Sequence, residues 1–180
     1  MDWQPVLEGD RLLLRPLVPE DWDALFGVAS DRRIWEIHPA HDRWQEPVFR
    51  VFFDDALAKG GAVAVIDRAS GALIGSSRWQ GYDPADGGSI EIGWTFLARS
   101  YWGGSYNREM KRLMLAHAFQ YVDSVVFRIG KTNWRSRKAM EKIGGRLTDV
   151  KDITHLGGSN VVHVVYEITA KCFAEGPLAL

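Results

Sequence analysis

The chain predicts an α+β fold with a mixed, mostly antiparallel central sheet flanked by helices. Three observations predict it. Strand-like segments outnumber helical ones, and helices alternate with strands only in the second half. Residues 89–129 have the strand–helix–strand order of a right-handed crossover between parallel strands. The chain is 180 residues long, the length of one domain, which is taken to span 1–180 without repeat or linker.

The elements follow in order. The alternation Arg11 to Leu17 reads as a first strand, stopped by Pro16 and Pro19. Pro19-Glu20-Asp21 opens a short helix with an apolar stripe at Trp22, Leu25, Phe26 and Ala29. Residues 31–47 are irregular and hold Trp35, His38, His41 and Trp44. Pro47 to Lys59 is helical, and Gly60-Gly61 ends it. Ala62 to Ile66 and Ala72 to Trp79 form a hairpin around the turn residues 67–71. After a glycine-containing loop, Ser89 to Leu97 is a longer strand. A helical stripe then runs through Tyr106, Met110, Leu113, Met114 and Ala118. Val125 to Ile129 is a buried-type strand. Asn133 is the N-cap of a helix to Ile143, which Gly144-Gly145 stops. A strand from Arg146, a Gly157-Gly158 turn and a strand from Val161 to Ile168 close the chain.

Composition excludes several classes. Apolar residues make up 46% and charged residues 25%, so a packed core is expected rather than disorder. The net charge of −1 leaves no basic excess for a phosphate backbone, so a nucleic-acid partner is not expected. The single cysteine, Cys172, rules out a disulfide framework. The five histidines include no His-x-x-x-His pair, so no metal is expected. Neither a signal segment nor an apolar span is present, and a cytoplasmic protein without membrane contact is the expectation.

The most informative stretch is the strand at 89–97, the glycine turn and the helix behind it. Gly103, Gly104, Ser105, Tyr106 and Asn107 form a turn feeding a helix N-terminus. Such a turn exposes unpaired N–H groups that bind phosphate, although Gly-Gly before a helix is as often a plain turn. No Walker lysine and no Gly-x-Gly-x-x-Gly fingerprint accompany it, which argues against a nucleotide triphosphatase and a Rossmann dehydrogenase.

The run from Ile90 to Thr95 and from Arg99 to Lys111 resembles the acyl-CoA motif of GNAT N-acetyltransferases. It is most similar to the Rim-type branch, which includes ribosomal-protein N-terminal acetyltransferases. The second stretch, Asn133 to Gly145, resembles that branch's Asn-x-x-Ser…Glu-Lys-x-Gly-Phe signature. The start Leu12 to Leu17 and the end Val164 to Ile168 also fit, so the similarity spans nearly the whole chain in order. There are departures. Ser100 and Ser105 stand where the family turn usually has Gln/Arg and Gly/Ala. Ser105 carries a Cβ, which is tolerable only at helical φ. Gly145 replaces a phenylalanine. Met140 stands where many members have a tyrosine acid.

The resemblance implies a GNAT fold and transfer of an acetyl group from acetyl-CoA, as acyl-donor co-substrate, to a primary amine attacking directly in a ternary complex. It implies that Thr95, Phe96 and Leu97 lend backbone groups to the pantetheine arm and the carbonyl. Residues 103–107 take the pyrophosphate and Asn133 the pantetheine amides; Arg137 and Lys142 are candidates for the CoA phosphates, against the plain reading of exposed helix cations. Ser136 assists the leaving thiolate. Chemistry requires a neutral amine, a stabilised oxyanion and a tolerated thiolate. Glu91 is the first candidate base, directly or through water; the competing reading is an ordinary salt-bridged glutamate. His38 and His155 are the rival bases. Ser136 and Asn133 have plain readings too, as a first-turn serine and a cap. Trp35, Trp44, Trp79 and Trp94 are candidates for shaping the acceptor site, against a core role for most of them, and Trp35, His38 and Trp79 are assigned to it.

The acceptor stays open between a protein N-terminus and a small-molecule amine. Acidity near the cleft, from Asp54, Asp55, Asp83 or Asp86, would favour polycations. The reading from another class is a non-catalytic acyl-CoA-binding sensing or interaction module. Dimers are common in the family, so a homodimer is compatible with the reading, but no motif reports one.

Overall fold

The computed structural model describes residues 1–156 and 159–179, so the expected Gly157-Gly158 turn lies outside the described residues. Strands β1 (Leu7–Glu8), β2 (Leu12–Pro16), β3 (Ala62–Asp67), β4 (Leu73–Asp83), β5 (Ser89–Leu97), β6 (Ser124–Gly130), β7 (Arg146–Leu156) and β8 (Ser159–Thr169) form one sheet. Its order is β1-β2-β3-β4-β5-β6-β8-β7. Only β5 and β6 pair in parallel, so the sheet is mixed and mostly antiparallel as expected. Helices α1 (Trp22–Ala29), α2 (Glu46–Lys59), α3 (Tyr106–Ala118), α4 (Trp134–Lys142) and α5 (Ala170–Glu175) flank it.

Period-two alternation divides the interior into two cores. Val63 and Val65 of β3 pack with Leu12, Leu14, Ile90 and Ile92 in the core shared with Met110, Met114 and Leu115 of α3. Ala62 and Ala64 of the same strand join Leu25, Phe49, Phe53 and Phe96 in the core under α1 and α2. β3 is therefore buried on both faces, which explains its unbroken apolar run.

The differences from expectation are local. β1 has two residues and α5 has six, too short to carry a period. Pro19–Asp21 is a single 3-10 turn ahead of α1. β4 runs to Asp83 because Gln80 and Asp83 still pair with Glu91 and Ser89.

Two pairing irregularities shape β5. The parallel ladder to β6 holds only at Ser89↔Ser124, Ile90↔Val125 and Glu91↔Val126. Beyond Glu91 the strands part, while β6 stays paired to β8 as far as Gly130↔His163. On the other edge, Ser76↔Phe96 and Arg78↔Gly93 leave Trp94 and Thr95 opposite Ser77 alone. This is a β-bulge, and Trp94 sits in it at φ +54°.

Glu109 fixes the start of α3 to the sheet. Its buried Oε1 accepts the N–H groups of Arg11 (2.8 Å) and Leu12 (3.0 Å) at the head of β2. Glu109→Ala strands both donors and is expected to lower stability by about 2 kcal/mol. Urea denaturation checks this; a loss under about 0.5 kcal/mol would mean that water replaces the carboxylate.

Candidate active site

A cavity of about 280 Å³ opens where β5 parts from β6. Ile92 to Leu97 of β5 form one wall and Phe127 to Gly130 of β6 the other. Gly103, Asn107 and Lys111 border it from the α3 side, Asn133, Arg135 and Ser136 from α4, and Trp35, His38 and Pro39 from the irregular segment.

The turn before α3 fits a diphosphate. Gly103 lies at φ +73°, a conformation only glycine adopts freely, with open space around it. Ser105 lies at φ −81°, ψ −12°, so its Cβ is tolerated. The N–H groups of the first helical turn have no intrahelical partner. Along the cleft, β5 has no ladder partner on its β6 side past Glu91, leaving an edge that suits an extended amide-bearing arm.

The expected residues divide. Thr95, Phe96, Leu97, Gly103, Asn107, Asn133, Ser136, Trp35 and His38 all line this cavity. Gly104, Ser105 and Tyr106 complete the turn outside the lining, and the Tyr106 ring packs edge-on against Tyr101 at 4.8 Å. Asn133 is also the α4 cap, its Oδ1 accepting the Ser136 N–H at 3.3 Å.

Three assignments need correction. Trp79 is 1% exposed and lies in the α3 core, its ring 5.4 Å from that of His117. Strand alternation points it away from the cleft. Arg137 does not reach the lining, because its guanidinium donates to Tyr166 Oη (3.2 Å) and to the Lys131 carbonyl (3.0 Å). Glu91 is held by Arg128 and is not part of the lining. Burial lifts its carboxyl above the usual range, against the pull of Arg128. Of the rival bases, His155 is exposed on β7. His38 accepts the Ala40 N–H at Nδ1 (2.9 Å). Burial, then the neighbouring Arg43, His163 and Arg135, pushes its imidazole down to about 3.

Sequence reasoning missed Lys111 and Arg135, while Trp94, one of the four tryptophans weighed for the acceptor site, does line the cavity. Arg135 spans the cleft, donating to the Ile34 carbonyl (2.7 Å) and lying 4.0 Å over the Trp102 ring. Lys111 is 4% exposed. Its Nζ is 2.7 Å from Thr95 Oγ1 and 3.5 Å from Ser77 Oγ, and those hydroxyls are 2.7 Å apart. Burial pushes its amine down to about 7. The signal was present: Lys111 is four residues after Asn107 and three before Met114, on the buried face of α3.

Among the described residues, no group of three or more His, Cys, Asp or Glu gathers to hold a metal ion. No helix among them is long and apolar enough to cross a membrane.

With this geometry in place, comparison with known proteins is specific. Residues 11–146 match the acetyltransferase (GNAT) domain. Similar solved structures include a GCN5-related N-acetyltransferase from Brucella melitensis, at 25% identity, 92% coverage of this chain, 79% of that one and TM-score 0.76. Another is a GNAT-family acetyltransferase from Bacillus anthracis, at 22% identity, 93% and 99% coverage and TM-score 0.75. A third is Mycobacterium smegmatis RimJ in complex with CoA-disulfide, at 17% identity, 98% and 92% coverage and TM-score 0.74. The chain belongs to the GNAT family of acetyltransferases.

Replacing Lys111 tests its burial. In the folded chain the amine titrates near 7, in the unfolded chain near ~10.4. Between those values the unfolded state holds a proton that the folded state has lost, so this residue's penalty shrinks as pH rises from about 7 to about 10. Lys111→Met is expected to raise the midpoint of thermal unfolding at pH 7 by about 3 °C or more, with a smaller gain at pH 10. Calorimetric scans at both values check it; a lowered midpoint at pH 7 would show that the charged amine is stabilised where it sits.

Proposed function

We propose that the protein, acting as one domain over 1–180, transfers an acetyl group from acetyl-CoA to a primary amine within a ternary complex. The observation that carries this is the parting of β5 from β6 directly beside the phosphate-binding turn. In this reading the N–H groups of 103–107 hold the diphosphate. Backbone groups of Thr95, Phe96 and Leu97, with Asn133, guide the arm that carries the thioester. Ser136, which borders the cavity from the first turn of α4, assists the departing sulfur.

The acceptor enters between the 34–39 segment and the bulge. Trp35 is clamped there, its Nε1 donating to the Ala29 carbonyl (2.7 Å) and its ring 5.2 Å from Phe96. His38 stays neutral, so with Nδ1 accepting from Ala40 it offers an N–H at Nε2 rather than a base. Among the described residues the lining contains Lys111, Arg128, Arg135 and two histidines and no carboxylate. Asp55 is taken by Arg78 (2.8 Å) and Lys59 (3.0 Å), and Asp83 and Asp86 are exposed outside the lining. That favours an acceptor with a single amine, such as a protein N-terminus or a small monoamine, over a polycation. An α-amino group, at ~8, is partly neutral already. The resemblance of the 133–145 signature to the Rim-type branch, which includes ribosomal-protein N-terminal acetyltransferases, supports the same class here.

Titration calorimetry with coenzyme A, followed by thiol release from acetyl-CoA across N-terminal peptides and small amines, tests the reading. Binding with release is the expected result; binding without release across the panel would favour a sensing module, and no binding up to millimolar ligand would end the proposal. Ser136→Ala is expected to cut kcat roughly 10–100-fold at unchanged coenzyme A affinity.

A further inference from the structure

Resting on the acetyl-transfer reading above, we infer that Lys111 is the group that takes the proton of the incoming amine, through the hydroxyl of Thr95.

The geometry carries it. Lys111 and Thr95 both border the cavity, and Nζ lies 2.7 Å from Thr95 Oγ1. The bulge makes this contact, because it sets Thr95 opposite Ser77 and leaves both hydroxyls within reach of α3. A buried lysine kept for structure would have a carboxylate partner. Among the described residues Lys111 has none. Glu109, on its own helix, is taken by β2, and Glu91 of β5 by Arg128. Asp55 of α2 is taken by Arg78 and Lys59. The other titratable groups bordering the cavity are His38, Tyr101, Arg128, Arg135 and His163. Nζ also lies 5.6 Å from the centroid of the Phe127 ring. The amine is consequently poised between its two protonation states near neutral pH. The other candidate bases lack this placement, since Glu91 is outside the lining and His38 has Nδ1 occupied.

The step balances. The acceptor arrives as an ammonium ion. Thr95 passes its hydroxyl proton to Nζ and takes one from the acceptor nitrogen. The freed lone pair attacks the thioester carbonyl, the C–N bond forms, and the C–S bond breaks with its electron pair on sulfur. The second surplus proton of the nitrogen goes to sulfur, giving the thiol. Lys111 returns its proton to solvent once the products leave. A positive charge thus appears on Lys111 in the buried cleft as negative charge develops on the carbonyl oxygen, a favourable pairing.

The test has one arm without turnover and one with it. In protein carrying 13C at lysine Cε and saturated with coenzyme A, one lysine resonance should titrate near pH 7, and Lys111→Met should lack it. With the best acceptor from the panel, Lys111→Met should lower kcat about 10²–10⁴-fold, leave coenzyme A affinity unchanged and abolish the rise of kcat/KM with pH below about 7. Lys111→Arg keeps a charge but cannot take the proton, and should be as slow as the Met variant. Thr95→Val should fall in the same direction. Titration of Lys111 above pH 9, a Met variant within about threefold of the parent, or rescue by arginine would each overturn the inference. A parent chain that binds no coenzyme A would overturn the acetyl-transfer reading instead, and calorimetry reads that independently of Lys111.

Discussion

Everything in the site depends on a strand that stops pairing halfway. β5 shares a parallel ladder with β6 through Glu91 and then leaves it, although β6 runs on to Gly130. Main-chain groups freed inside a protein must find partners or remain a site for a ligand. On its other edge β5 stays paired to β4, so the strand is fixed while one side is open. A groove of main-chain donors and acceptors held by a rigid sheet suits an extended, amide-bearing arm better than a compact ligand.

The two cores hold that opening in place from opposite faces. On the α1–α2 face, Phe49, Phe52 and Trp35 all stack on or against Phe96, with centroids 5.2–6.1 Å apart. On the α3 face, Glu109 ties the helix to β2, while Met110 and Met114 are fully buried. The left-handed Trp94 costs backbone strain on the order of 1–3 kcal/mol, and it persists because packing on both sides determines it. Its return is positional: without the extra residue in β5, Thr95 would not face Ser77 and Lys111 together.

Much of this was legible in the sequence. The long strand, the turn at Gly103 and the Asn133 cap were readable because each depends on local chemistry: a period, a positive φ and a side-chain acceptor. Ser105 was readable only conditionally, and its helical φ settles the condition. Trp79 and Arg137 were misassigned because the face of a strand residue and the partners of an arginine depend on tertiary packing. A period of two says that Trp79 and Glu91 point somewhere, not which face is the cleft. The bulge was invisible, since register depends on both strands and only one is read at a time. Lys111 was not singled out, although its place beside Asn107 and Met114 already put it on the inner face.

The missing family tyrosine makes more sense once the local charges are considered together. Where many relatives have an acid, this chain has Met140, which is buried and borders the cavity. Its methionine leaves that position without an acid, and on the acetyl-transfer reading the thiolate finds its proton elsewhere. The nitrogen itself carries the surplus, because an ammonium acceptor sheds two protons on becoming an amide. On the inferred relay, Thr95 and Lys111, 2.7 Å apart, carry one proton outward while the other passes from nitrogen to sulfur, so no dedicated acid is needed. On the acetyl-transfer reading, Met140 in place of a tyrosine and the buried Lys111 belong together, since the inferred proton relay runs from α3 through Thr95 rather than from α4.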